Sequence, residues 1–246
     1  MSNDFENRIK ELYDRSLNRA IFTFSDFLSP SKKIEAENAV GKGNVSFFGG
    51  CDFAERVIAR FGSAEELGYE EEYPIKLLKI SVTSGKFSVE ITHRDVLGAV
   101  LNLGIERDKI GDIFVGQNEA YLFAVDTIAD VIANELTTVS KNPVKASFPD
   151  KMPENFRPST ETIRASVASN RADAVISRVY GISREESLEL FKNAVVTING
   201  KIAEKGVKPL KPDDVVTVRG RGKFVFVGEC GTSKKGKLYV EINKYV

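Results

Sequence analysis

The chain has 246 residues, 42% of them hydrophobic and 28% charged, a composition that describes a soluble globular protein with room for one large domain or two to three small ones. No apolar run approaches the roughly 18 residues of a membrane span, and the lone His93 with Cys51 and Cys230 cannot supply the about four ligands of a structural zinc site. The formal charge is zero, which at first sight excludes a polyanion partner.

That zero is unevenly distributed. Residues 1–156 hold 18 Lys/Arg against 25 Asp/Glu, a balance of −7, and residues 157–246 hold 17 against 10, a balance of +7. Charge per segment therefore points to a polyanion for the C-terminal part. Composition leaves RNA, DNA and an acidic protein open.

In chain order, "FENRIKELYDRSLNRA" places Phe5, Ile9 and Leu12 at helical spacing. Its acidic residues are unlike those of a secretory or transit segment, and the two cysteines read as free thiols in a reducing cytoplasm. "FTFSDFLSPSKKIEAENAV" reads as a short helix, a break at Pro30 and a second helix. "NVSFFGG" reads as a short strand closed by glycines, and "DFAERVIARFG" as a helix. The glycines of "GKGN" and "FFGG" lack both phosphate-loop spacings and read as turns.

The acidic run Glu70–Glu72 before Tyr73-Pro74 marks a boundary. Beyond it, "IKLLKISV" is a strand and "THRDVLGAVLNLG" a helix with Thr92 as N-cap and Asp95 at its third position. "IGDIFVG" and Tyr121–Val125 are strands, "TIADVIANEL" is a helix entered through Asp126, and "VKASFP" is a last strand. This β-α-β-β-α-β order suggests a ferredoxin-like (RRM-like) sheet backed by two helices. The proline-rich "PDKMPENFRPST" is a linker at the change of charge sign.

The C-terminal part opens with the strand "TIRASVAS". In "RADAVISRVYG", Ala172, Val175, Ile176 and Val179 form one apolar stripe that Gly181 terminates. In "SREESLELFKNA", Ser183 and Glu186 make a capping box, while Leu188, Phe191 and Ala194 are placed to face the first helix. Arg171, Arg184 and Lys192 fall off these stripes, Arg178 extends the same face, and the second helix's N-terminus beside Arg184 is a phosphate seat. Val195, Val196 and Ile198 lead into Asn199-Gly200, a hairpin turn followed by Lys201 and Lys205. Arg219, Arg221 and Lys223 in "RGRGKF" are further candidate polyanion contacts, in a stretch whose glycines equally shape a loop, and Lys234, Lys235 and Lys237 form a basic tip. The end of the chain, through "VVTVRG", "KFVFVGEC" and "KLYVEINKYV", is β-rich.

"RADAVISRVYGISREESLELFKNAVVTINGK", continued by "VKPLKPDDVVTVRG", resembles an S4 RNA-binding domain over about residues 170–225. The matching positions are Arg171, Asp173, Ser183-Arg184, Glu186, Lys192, Asn199-Gly200 and Pro212-Asp213-Asp214-Val215. The departures are Ala172 for the usual Leu, Ala194 where Gly is common, and Asp213 for Gly. The central "THRDVLGAVLNLGIERDKIGDIFV" resembles the YlmH-type bacterial S4 proteins through His93-Arg94-Asp95, Leu97-Gly98, Leu103-Gly104, Arg107 and Gly111-Asp112-Ile113. That resemblance implies structured RNA, the large ribosomal subunit and rescue of stalled complexes carrying peptidyl-tRNA, with a looser link to cell division.

The fold expected is α+β in three parts: a small α/β region over 1–73, a ferredoxin-like domain over 74–156 and an S4 domain over 157–246, with two short helices and β-hairpins. The function expected is non-catalytic, cytoplasmic RNA binding that needs no cofactor. The RNA-binding candidates are Arg171, Arg178, Arg184, Lys192, Lys201, Arg219, Arg221 and Lys223. Arg94, Arg107 and Lys109 are candidates for a second RNA or ribosome contact, and residues 1–156 for contact with a ribosomal protein. The alternatives are a cell-division-associated RNA-binding or interaction protein and, as an enzyme, an S4-containing pseudouridine synthase or methyltransferase. The enzyme has little support: His93 and Asp95 do not share a helix face, Asp112 reads as a turn residue, and "VSFFGG" is a poor cofactor loop that only the following Asp52 favours.

Overall fold

The computed structural model describes residues 2–83, 89–233 and 236–245. It is a mixed α+β architecture of antiparallel sheets and helices, divided into two units between Arg157 and Pro158.

The first unit starts with α1 (Ser2–Arg19), β1 (Thr23–Leu28), α2 (Pro30–Val40), β2 (Ser46–Phe48), β3 (Val57–Phe61) and the short α3 (Ala64–Leu67). Two helix expectations fail here. "TFSDFL" is the strand β1, and "VIARF" is β3, the centre of a three-stranded sheet ordered β1-β3-β2. β3 misled because a strand buried on both faces shows a continuous apolar run rather than alternation; its β-branched Val57-Ile58 and closing Gly62 are the strand signals. In β1 the buried side chains at alternate positions include hydroxyls. Thr23 donates to the Leu12 carbonyl at 2.7 Å, and Ser25 accepts from the Ala59 amide at 2.9 Å across an irregular register. Pro30 opens α2 at its first position, where its missing N–H costs nothing, behind the N-cap Ser29.

Next come β4 (Ile75–Val82), α4 (His93–Leu101), β5 (Ile110–Val115), β6 (Glu119–Val125), α5 (Asp126–Glu135), β7 (Thr138–Val139) and β8 (Asn142–Ser147). The sheet order is β5-β6-β4-β8-β7, antiparallel throughout. Thr92 and Asp95 close the expected capping box on α4, so Asp95 is committed to Thr92. Val96 and Val100 of α4 and Ala129 and Ile132 of α5 pack on one face of this sheet, around Leu78, Ile80 and Leu122. Phe123 looks to the other face, where it joins Phe27 and Ile58 in a second cluster. Burial of β6 on both faces therefore joins the two sheets of this unit. The close approach needs glycine: a Cβ on Gly111 would lie 2.7 Å from the Phe27 ring.

The second unit is built from β9 (Thr160–Val167), α6 (Ala172–Val179), α7 (Arg184–Lys192), β10 (Val196–Ile198), β11 (Lys201–Ile202), β12 (Asp214–Val218), β13 (Gly222–Thr232) and β14 (Leu238–Tyr245). These strands form one sheet, ordered β11-β10-β12-β13-β14-β9, so the unit's first strand pairs with its last. Val175, Ile176 and Val179 of α6 and Phe191 of α7 cover it. On α7 the expected inward face is corrected by one position. Ser187 is buried, whereas Leu188 is 37% exposed and Ala194 exposed, because the inward row runs through Ser187, Leu190 and Phe191.

Ala194 and Asp213, two departures from the S4 pattern, both adopt left-handed backbone angles, with φ of 53° and 68°. Such angles cost a side-chain-bearing residue about 1–2 kcal/mol. Ala194→Gly is therefore expected to stabilise the unit by about 1 kcal/mol, and Asp213→Gly by less, since Asp tolerates this region better. Urea unfolding midpoints at unchanged slope measure both.

Candidate nucleic-acid interface

α6 starts without a side-chain cap; Arg171 holds the N-cap position. A following loop meets its first amides: Ala172 and Asp173 donate to the carbonyls of Lys208 and Gly206, each at 3.0 Å. Here Gly206 has no room for a side chain, since a Cβ would lie 2.9 Å from that of Asp173 and 3.0 Å from the Phe191 ring. From α7, the Ser187 hydroxyl donates to the Asp173 carbonyl at 2.9 Å. Asp173 is thus the joint at which both helices and this loop meet.

A carboxylate so enclosed needs charged partners. Arg171 grips it with a fork, Nε to Oδ1 at 3.0 Å and Nη2 to Oδ2 at 3.2 Å, and Arg184 adds Nη2 to Oδ2 at 2.8 Å. The Asp173 side chain is 1% exposed, against 38% for Arg171 and 49% for Arg184. Burial alone would push its carboxyl up; the hydrogen bonds from Arg184 and Arg171 outweigh that and hold it below the usual carboxylate range. A guanidinium has five N–H donors, so this clamp fixes two half-exposed cations side by side and leaves each with donors for a second anion.

The first turn of α7 differs from a bare phosphate seat. Ser183 and Glu186 close the capping box at 3.1 and 2.8 Å, and the acidic Glu185 and Glu186 already complement the helix dipole. Arg221 lies near enough to Glu186 to lower its carboxyl, after the larger effect of the Ser183 hydrogen bonds. The Asp173 clamp thus sets Arg171 and Arg184 together at the start of α7. Lys192 lies at its far end, about 12 Å along the axis, in an exposed pair with Glu189 at 2.5 Å.

Arg178 is exposed on α6, and Arg219 and Arg221 on the glycine turn between β12 and β13. Lys223 stacks over the Tyr245 ring at 4.0 Å, where burial lowers its ammonium pKa. The Asn199-Gly200 turn, with φ of 51° and 74°, carries Lys201 on its exposed side. Asn199 accepts from the Val215 amide at 2.9 Å and donates to Asp214 at 2.7 Å, which pins this hairpin to the next turn. Lys234 and Lys235 lie outside the described residues.

In the first unit, Arg94 is exposed on α4. Arg107 turns inward and donates to the carbonyls of Ile110 at 2.5 Å and Gly111 at 3.3 Å; burial and the neighbouring Arg56 lower its pKa to about 10. Lys109 pairs with Asp26 at 2.5 Å, a carboxylate shared with Arg8 at 2.9 Å. Asp112 of β5 accepts from the Glu55 and Arg56 amides at 2.6 and 3.2 Å, a tie between that strand and the loop that enters β3. Among the described residues no group of His, Cys, Asp and Glu is arranged to hold a metal ion, and both cysteines are free.

Sequence reading missed the clamp although Arg171, Asp173 and Arg184 were all in view. The signal was an Asp two residues after a basic N-cap, in the buried first turns of an amphipathic helix. Arg56 was also missed: its guanidinium donates to the carbonyls of Ile110, Phe27 and Arg107, partners that no local pattern links.

A family model described as "Putative RNA-binding domain in YlmH" matches residues 69–150. The chain is 30% identical over 223 residues to "Ribosome-associated protein quality control protein P2" of Bacillus subtilis (strain 168), an overlap of 89% of this chain and 86% of that protein. A solved structure, "Cell division protein ylmH from Streptococcus pneumoniae", is 21% identical with a TM-score of 0.48, over 63% of this chain and 93% of that one. Likeness at this level across most of the Bacillus protein places the chain in a group: it belongs to the YlmH-like family of RNA-binding, ribosome-associated proteins.

Proposed function

We propose that the protein is a non-catalytic, cytoplasmic RNA-binding factor of the large ribosomal subunit that grips rRNA through its C-terminal unit and takes part in rescue of complexes carrying peptidyl-tRNA. The observation that carries this reading is the Asp173 clamp: two half-exposed arginines oriented by one buried carboxylate, in a segment with 17 basic and 10 acidic residues. Fixed guanidinium forks suit phosphate oxygens, and the spread of basic residues over Arg178, Lys192, Lys201, Arg219, Arg221 and Lys223 suits a backbone followed over several nucleotides. In this reading residues 157–246 are the S4 domain. Residues 74–156 are the ferredoxin-like domain that the family model overlaps, with the exposed Arg94 as its candidate contact while Arg107 and Lys109 are engaged within the unit, and residues 1–73 support it. The Bacillus relative's name supports the ribosomal setting.

Crosslinking and sequencing of RNA bound to the full chain in cells tests the proposal. Recovery of rRNA and tRNA at defined sites is expected, falling in an Arg171→Ala/Arg184→Ala variant. Scattered mRNA fragments alone would sink it.

A further inference from the structure

A cleft of about 1200 Å³ in the Met1–Arg157 unit is lined by none of the cations proposed above to meet RNA. Its apolar lining includes Leu77, Phe123 and Phe53. Phe48 and Phe148, 41% and 49% exposed, also line it, so large apolar surface stands open to water. The volume exceeds the roughly 300–1,000 Å³ of small-molecule pockets.

The polar lining has one dominant sign. Asp52, Glu72, Asp126, Asp130, Asp150 and Glu154 outnumber Lys76, Lys151 and Arg157. Arg157 is already engaged by Asp52, which leaves five carboxylates with no ion pair among the described residues. Asp126 and Asp130 stand one helical turn apart on α5, a spacing at which like charges repel until a cation comes between them. A wall of this sign disfavours a phosphate backbone and concentrates cations. Open aromatic side chains beside it ask for an apolar anchor.

We propose that this cleft docks an extended Lys/Arg-rich protein segment with an aromatic or aliphatic anchor seated between Phe48 and Phe148. The proposal rests on the ribosomal reading only for the source of that segment, a basic extension of a neighbouring RNA-binding protein. Two surfaces of opposite sign then give the protein two kinds of partner at once, RNA on one unit and a cationic polypeptide on the other.

The test uses the full chain and a fluorescein-labelled peptide of about twelve residues, with Lys and Arg flanking a central Phe-Leu pair. Fluorescence anisotropy should report binding that weakens with salt, and about tenfold with Phe148→Ser or with Asp126→Asn/Asp130→Asn. A peptide with Ser-Ser at its centre should lose a similar factor. Absence of binding, or binding indifferent to both variants, overturns the proposal. Cosedimentation of the same variants with ribosomal subunits separates the two readings. Cosedimentation without peptide capture leaves the ribosomal role and removes the groove. Peptide capture without cosedimentation keeps the groove and removes the ribosomal source.

Discussion

Replacing Asp173 with alanine is expected to destabilise the C-terminal unit by about 3 kcal/mol and to weaken RNA binding by roughly tenfold. Hydrogen bonds to charged groups contribute about 1.5–3 kcal/mol each. Asp173 accepts three of them, but from arginines 38% and 49% exposed, whose water contact screens the interaction and keeps the total far below the sum. Asp173→Asn, which keeps shape and one acceptor, should cost less. The salt dependence separates orientation from mere loss of charge. Arg171→Ala/Arg184→Ala removes two phosphate partners and should lower the slope of log affinity against log salt by about two. Asp173→Asn keeps both cations and should weaken binding at a nearly unchanged slope. An equal fall in slope for both variants would reduce Asp173 to a purely structural role. The pH dependence follows from the depressed carboxyl. Its contribution is present above the unfolded-chain value of about 3.9 and fades as pH falls through the lower folded value, a loss that Asp173→Ala should no longer show in acid unfolding.

Legibility in the sequence divided along physical lines. Helix ends were readable because caps are local: Thr92 with Asp95, and Ser183 with Glu186, close the boxes that their spacing predicts. The Asn199-Gly200 hairpin was readable for the same reason. The strands β1 and β3 were not, because burial on both faces and inward-facing hydroxyls erase the alternation that marks a strand. In the candidate site the cations could be named, but not their common anchor, which requires α6 and α7 to be packed before Arg171 and Arg184 can share a carboxylate. The acidic cleft lay further out of reach. Its lining comes from four separate stretches, residues 48–53, 72–77, 123–130 and 148–157, none of which carries a motif.

Gly50→Ala is expected to cost the first unit about 3 kcal/mol or more, from two effects at one position. Gly50 has φ of 97°, and its Cβ would lie 2.2 Å from the Phe123 ring. That ring cannot withdraw: Phe123 is 4% exposed and held by Phe27, Ile58 and Val125 in the cluster that joins the two sheets. Crowding of this kind costs about 1–3 kcal/mol, and the left-handed backbone adds about 1–2. Asp112→Asn, which weakens the carboxylate's hold on the Glu55 and Arg56 amides at the other end of the same loop, should cost only about 1–2 kcal/mol. Urea unfolding of the two variants therefore ranks space against hydrogen bonding in fixing residues 49–56. The same loop supplies Asp52 and Phe53 to the acidic cleft. Gly50→Ala should accordingly weaken capture of the cationic peptide even below its unfolding midpoint, whereas a neutral Gly50→Ala would mean that the loop is not seated on Phe123 at all.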